Sequence, residues 1–337
     1  MKHAFVTGGT GFLGRTLLEQ LADEGWQVAA LYRGDAPPPF FADHGVTAVR
    51  ADLGDGDALA RAMKECAPHG LDAVFHVAAD TSAWRAHRDR QMAVNLDGTR
   101  AVIHAMRALD HGGKAGPPRL IHVSSISVWG HHPRPIDETL PQKGRESWVG
   151  YVKSKALAED AVRAAVADGL DAVIVNPAHI LGRYDTNNWA RLFLLIHSGT
   201  LPGVPPGAGS FAHAGAVARA MIAAVEKGGR GENYILGGPH ATFLDLAREI
   251  ARLLDKPQPR RAIPAALLKM VAHGHDLRSR VSGKEPDITP EAAYFVCHDE
   301  QALSDRAARV LDYQIVPYEK SLKESHEWLQ SQGLLGA

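Results

Sequence analysis

Val6-Thr7-Gly8-Gly9-Thr10-Gly11-Phe12-Leu13-Gly14 is the stretch from which the rest of the chain can be read. It follows a short apolar run, Ala4 to Thr7, and opens a segment in which Leu13, Leu17, Leu18 and Leu21 recur at helical spacing. Between them, both GxGxxG (from Gly9) and GxxGxxG (from Gly8) can be traced. Glycines in a strand-to-helix turn let backbone N–H groups approach a pyrophosphate at the positive end of the helix. A tight turn packed on a helix gives the same spacing without a ligand, but the early position within a strand–turn–helix unit favours a dinucleotide. Gly8, Gly11, Phe12, Leu13 and Gly14 are therefore cofactor-binding candidates.

Short apolar runs continue to alternate with helical patterns. Candidate strands are Ala4 to Thr7, Gln27 to Tyr32, Val46 to Ala51, Ala73 to Ala78, Leu120 to Ser124 and Ala172 to Val175. This is the sequence form of repeated βαβ units, so an α/β fold with a doubly wound parallel sheet, the Rossmann arrangement, is expected. After Asn176-Pro177 the order loosens into loops rich in Gly and Pro. Phe211 to Lys227 reads as a helix and Asn233 to Leu236 as a strand returning to the large sheet. The expected division is residues 1–180 plus 211–237 for the dinucleotide and 181–210 plus 238–337 for a smaller, discontinuous α+β substrate region.

Composition narrows the function classes. The 337 residues are 45% hydrophobic and 22% charged with a net charge of −1, so no basic field invites nucleic acid. Two cysteines, Cys66 and Cys297, carry no disulfide framework. The start Met1-Lys2-His3 runs straight into the first strand, unlike a signal peptide, and no apolar run reaches membrane-span length. A cytoplasmic protein with a small-molecule partner and no membrane is expected. Eighteen histidines are many, yet His131-His132 precedes a proline and His273-x-His275 lacks acidic or cysteine partners at ligand spacing, so no metal is expected.

At the end of the second strand stands Leu31-Tyr32-Arg33-Gly34. An NAD enzyme of this architecture usually places a carboxylate there for the ribose 2′-hydroxyl, whereas a guanidinium clamps the 2′-phosphate of NADP. Arg33 thus points to NADP(H), and nearby Asp35 keeps NAD(H) open. Asp52 and Leu53, after the third strand, suit the adenine amino group and ring respectively, although an aspartate there also reads as a turn or cap residue.

Tyr151-Val152-Lys153-Ser154-Lys155 opens a helical pattern, which puts Tyr151 and Lys155 on one face. An ammonium beside a phenol stabilises the phenolate and moves its pKa toward the operating range. Ile121-His122-Val123-Ser124-Ser125 runs off the fifth strand, so Ser125 falls at the carboxyl edge where ligands of open α/β sheets bind. It is placed to hold a substrate oxygen while Tyr151 transfers a proton.

With these in place the chain resembles an extended short-chain dehydrogenase/reductase, and within that superfamily the dihydroflavonol reductase and 3β-hydroxysteroid dehydrogenase branch. The resemblance rests on TGGTGFLG at Thr7 to Gly14, FHVAA at Phe75 to Ala79, NLDGT at Asn95 to Thr99, HVSSISVWG at His122 to Gly130, YVKSK at Tyr151 to Lys155 and NPAHILG at Asn176 to Gly182. It implies that Val77, Ala78, Ala79 and Thr81 pass near the cofactor, that Asn95 supports their loop, and that Pro177 and Ile180 line the nicotinamide. It also implies that Lys155 lowers the Tyr151 pKa and grips the nicotinamide ribose. Two departures stand out: Trp129 where the family usually has Tyr, and His213-Ala214 where Val-Asp is usual.

Trp84, Trp129, Trp148 and His179 lie near these loops in sequence and suggest a flat, largely apolar substrate, a ketone or aldehyde interconverted with an alcohol. Two other readings are a nucleotide-sugar epimerase or dehydratase with retained NAD, against which Arg33 argues, and a non-catalytic NADP(H)-sensing protein. Substrate identity, reaction direction and oligomeric state, a homodimer included, stay open.

Overall fold

The structure is a computed structural model that describes residues 1–109 and 116–335. In chain order its strands are β1 (His3–Thr7), β2 (Gln27–Tyr32), β3 (Thr47–Arg50), β4 (Ala73–His76), β5 (Arg119–Val123) and β6 (Ala172–Pro177), followed by β7 (His179–Leu181), β8 (Ala208–His213), β9 (Asn233–Leu236), β10 (His240–Thr242) and β11 (Asp299–Glu300). Seven of them form an all-parallel sheet in the order β3-β2-β1-β4-β5-β6-β9. The central strands are continuous apolar runs because both faces are covered. Every residue of β4 and of β6 is buried.

One face carries the helix Phe12–Asp23, whose Leu13, Leu17, Leu18 and Leu21 are buried, packed beside the helix Ala214–Lys227. The other face carries the helices Gly56–Cys66, Gly98–Arg107 and Gly150–Ala167. The strand order reverses between β1 and β4, so the loops leaving their carboxyl ends splay apart and leave a crevice.

The expected return of the later strand holds, since β9 pairs with β6 at the sheet edge. The helix expected from Phe211 begins instead at Ala214, because Phe211–His213 are the fully buried end of β8. That strand organises a second sheet, with β10 antiparallel on one side and both β11 and β7 parallel on the other. Phe193, Phe211, Phe243 and Leu322 fill the core beneath it. The unusual His213-Ala214 pair finds its reason here. His213 Nδ1 accepts the Ala216 N–H at 3.1 Å and so caps the following helix. Its Nε2 therefore carries the hydrogen and donates to Glu324 at 2.8 Å.

Among the described residues no helix is long and apolar enough to cross a membrane. None of their His, Cys, Asp and Glu side chains form a group able to hold a metal ion.

Candidate active site

The crevice is a cavity of about 1940 Å³ that runs from the glycine turn to the second sheet. Its first wall is Gly8, Gly11, Phe12, Leu13 and Gly14. Gly8 has φ +74°, and a Cβ on it would lie 2.5 Å from the Ala78 nitrogen. A Cβ on Gly14 would lie 2.0 Å from the Gly8 carbonyl oxygen. Any side chain at either place breaks the turn. The helix it feeds is capped by Gly11 with no side-chain acceptor, which leaves first-turn N–H groups facing the cavity. This cradle fits the pyrophosphate of a dinucleotide.

At the carboxyl ends of β2 and β3, Arg33, Asp52 and Leu53 line the same cavity. Arg33 is exposed there, while the carboxylate of Asp35 faces Arg50 at 3.5 Å. Asp52 Oδ1 accepts the Gly54 N–H at 2.9 Å, and the cap of the next helix is Asp55, not Asp52.

Val77, Ala78, Ala79 and Thr81 leave β4 along the cavity wall. Asn95 does not line it. Fully buried on a π-helical turn, Asn95 accepts the Asp80 N–H at 2.7 Å and donates to the Asp80 carbonyl at 3.0 Å and to Ser154 Oγ at 2.9 Å. It ties the loop after β4 to the helix Gly150–Ala167.

That helix brings Tyr151 and Lys155 against Ser125, and all three line the cavity. Ser125 Oγ accepts from the Ser127 N–H at 3.2 Å and the Ser127 hydroxyl at 3.0 Å, so its own proton is free to donate. Burial raises the Tyr151 pKa above the ordinary phenol value, and the Ser125 hydroxyl opposes this by stabilising the phenolate. The expected lowering of Tyr151 by Lys155 is not seen. The Lys155 ammonium turns to the Val123 carbonyl, to which it donates at 2.6 Å. Burial pushes Lys155 itself down to about 8, opposed by the Glu159 carboxylate one turn along the helix. Below lie His76 and His122, both held uncharged around neutral pH by burial and by Lys155, His76 down to about 3.

Glu159 was not anticipated from the sequence. Fully buried, its carboxylate accepts from Asn176 at 2.6 Å, Arg163 at 2.8 Å, Gln142 at 2.9 Å and Asn233 at 3.1 Å. The Tyr-x-x-x-Lys-x-x-x-Glu spacing was legible, since it puts all three on one helical face.

Beyond the reacting groups, Pro177, His179 and Ile180 line the cavity together with Trp189, Phe243, Ile263, Leu268 and Phe295. His179 stacks on Phe211 at 5.3 Å and meets Trp189 edge-on at 5.2 Å, and burial pushes its pKa down to about 4. Glu300, opposite Gly209 on β8, also faces the cavity, where desolvation pushes its carboxyl up to about 7. Among the described residues neither the His179 nor the Glu300 side chain is hydrogen-bonded to protein.

The three tryptophans expected at the substrate do not reach it. Trp129 is 1% exposed, with Nε1 donating to the Leu140 carbonyl at 3.0 Å inside a cluster with Val128 and Ile136. Its ring ends a short 3-10 turn that Gly130, at φ +66°, reverses, so the indole points into the core. Trp84 packs edge-on against His87 at 4.8 Å, and Trp148 is 51% exposed against Tyr294 at 5.8 Å. Trp189 takes the place assigned to them.

The sequence matches the NAD dependent epimerase/dehydratase family over residues 4–237. It is 28% identical over 338 residues to a putative dihydroflavonol 4-reductase of Synechocystis, covering 98% of this chain and 95% of that protein. It is 32% identical over 323 residues to the 4-hydroxy-2-methyl-3-oxo-4-farnesyl-3,4-dihydroquinoline-1-oxide ketoreductase of Stigmatella aurantiaca, covering 92% and 91%. The crystal structure of gox2253 superposes with a TM-score of 0.82 at 28% identity, covering 99% of both chains. The Bordetella bronchiseptica enzyme WbmH, solved with NAD+, shares the fold at a TM-score of 0.76 and 18% identity over 99% and 100% of the two chains.

Proposed function

Because the chain belongs to the NAD dependent epimerase/dehydratase family, we propose that it is an NADP(H)-dependent reductase or dehydrogenase that interconverts a ketone or aldehyde and an alcohol on a largely apolar small molecule. The observation that carries this reading is that Ser125, Tyr151 and Lys155 line one cavity at the junction of the glycine-turn wall and an apolar wall. When bound, the nicotinamide supplies or accepts the hydride.

The chain's own part is proton placement. Burial keeps Tyr151 protonated through neutral pH, so its hydroxyl is available to a developing alkoxide. Ser125, with its proton free, holds that oxygen and stabilises the phenolate left behind. Lys155, buried on the same helix one turn beyond Tyr151 and lining the same cavity, would hold the nicotinamide ribose. In the reverse direction the same groups collect the proton.

Arg33, exposed on the cavity wall while Asp35 turns to Arg50, supports NADP(H) over NAD(H). Apolar walls at Trp189, Phe243 and Phe295 support an apolar substrate, in keeping with a relative named as a ketoreductase of a farnesylated quinoline. The epimerase reading has less support, because Arg33 suits NADP(H) and not the retained NAD of such enzymes; the polar side chains that also line the cavity, Asn187, Asn188 and Arg191, are why UDP-sugars belong in the test. Two unpaired cysteines support a reducing, cytoplasmic setting.

The test is NADPH oxidation measured against a panel of apolar ketones and aldehydes, with NADH and UDP-sugars alongside. Consumption of NADPH with an apolar carbonyl supports the reading. Interconversion of a sugar nucleotide without net cofactor consumption overturns it in favour of an epimerase.

A further inference from the structure

The helix Ala265–Ser282 is exposed in an unusual way. Leu268, Ala272, Asp276 and Ser279 face the protein. On the opposite side Leu267, Met270, Val271, Leu277 and Val281 are exposed, Met270 and Leu277 at 66% and Val281 at 90%. Their spacing of three and four, continued by Gly274, makes one apolar stripe along the whole helix. Single exposed apolar residues are ordinary on a soluble surface, but a contiguous stripe of this kind marks a contact.

Two further features identify the contact. First, the exposed surface of the helix carries cations and no carboxylate. Lys269, Arg278 and Arg280 flank the stripe, whereas Asp276, the helix's single acid, is turned inward and held by Arg280 at 3.0 Å and Arg85 at 3.2 Å. This stands out on a chain whose net charge is −1. Secondly, the stripe is continuous with the mouth of the cavity, since Leu267 and Val271 are exposed and also line it. A second copy seated on this face by a two-fold axis would set the two basic flanks against each other.

We propose that the 265–282 helix docks the protein on an anionic lipid surface, lying in the interface with Met270, Leu277 and Val281 among the acyl chains and Lys269 and Arg278 among the headgroups. Membranes were set aside on the sequence because no span exists, and an interfacial helix needs none. The docked pose sets the cavity mouth against the bilayer, the phase in which an apolar carbonyl compound concentrates. Delivery of such a substrate rests on the function proposed above, and docking itself does not.

Flotation of the full chain with vesicles of phosphatidylcholine alone, or with added phosphatidylglycerol, tests this. The chain should float with the anionic vesicles, less so at high salt. Leu277→Asp together with Val281→Asp should cut the floated fraction at least about tenfold, with NADPH affinity unchanged because neither residue lines the cavity. Lys269→Glu together with Arg278→Glu should remove the preference for anionic lipid, which checks the proposal independently of the first pair. Absence of flotation with either vesicle overturns it, as does undiminished flotation of both variants. A dimer in light scattering that the Leu277/Val281 pair converts to monomer also overturns it and assigns the stripe to a second copy. Flotation without any ketone reduction would leave docking standing and remove the proposed function.

Discussion

The side-chain amide of Asn176 donates to the backbone carbonyl of Ser125 at 3.1 Å. The same amide donates to the buried Glu159 carboxylate at 2.6 Å, and Glu159 lies one turn from Lys155. Ser125 and Lys155 are thus held by one buried carboxylate, through Asn176 on one side and through the field of the charge on the other.

Removing that charge should be felt in both stability and chemistry. Glu159→Leu should destabilise by about 2 kcal/mol, less than for a wholly buried pair because Arg163 keeps partial access to water. Glu159→Gln keeps the volume and most of the hydrogen bonds but leaves Lys155 with burial alone, so the alkaline limb of kcat/KM should move to lower pH. Denaturant unfolding and a pH–rate profile read the two effects separately. An unmoved alkaline limb in Glu159→Gln would show that Glu159 does not act on Lys155.

Glu300 gives a second pH dependence of opposite origin. Its folded-state pKa is raised from 4.5 to about 7 by desolvation, so it is uncharged below neutrality and ionises above it. A charge in an apolar wall disfavours an apolar ligand, so KM for a hydrophobic ketone should rise as pH passes through about 7. The folded state also binds the proton more tightly than the unfolded chain between 4.5 and about 7, so stability should fall as pH rises through that window. Glu300→Gln should flatten both trends. A KM independent of pH in the unmutated protein contradicts this assignment.

Cofactor choice should follow Arg33. Arg33→Asp removes the cation on the cavity wall and adds a carboxylate there, so affinity for NADP(H) should drop and that for NAD(H) should change little. Titration of the unmutated protein with both cofactors is the simpler measurement, and tighter binding of NAD(H) would reject the role.

Among the aromatic residues the structure redirects the expectation from Trp148 to Trp189. Trp189→Ala removes a ring that stacks on Phe243 at 5.4 Å and lines the cavity, so KM for the best apolar substrate should rise by an amount corresponding to about 1 to 2 kcal/mol. Trp148→Ala should leave KM unchanged. The reverse pattern would restore the sequence-based assignment.

The difference between those tryptophans shows what the sequence carries. The sheet was legible because β4 and β6 are apolar up to His76 and Asn176, and the glycine turn because Gly8 and Gly14 leave no room for a side chain. Arg33 and Ser125 could be placed on the cavity because they follow strands of the parallel sheet, whereas Val77, Ala78, Ala79, Thr81, Pro177 and Ile180 came only from the family resemblance. The second sheet was not legible. Its strands β7, β10 and β11 span three, three and two residues, too few for a period to show, and β8 was read as the start of the helix it precedes. Glu300 and Trp189 depend on that sheet, as does the aromatic packing around His179, so they were found only in three dimensions. Trp129 misled because proximity in sequence to Ser125 says nothing of which way an indole turns after Gly130.

The central claim is that Tyr151 is the proton donor, and single-turnover reduction of the best apolar ketone by Tyr151→Phe with NADPH measures it most directly. The account predicts a rate at least about a hundredfold below that of the unmutated protein, the scale of a general acid's contribution. Cofactor affinity and unfolding midpoint should stay nearly unchanged, because the Ser125 hydroxyl keeps its two bonds to Ser127. A Tyr151→Phe enzyme that reduces the ketone at the full rate would contradict the account and leave the chain as a dinucleotide-binding fold whose chemistry lies elsewhere.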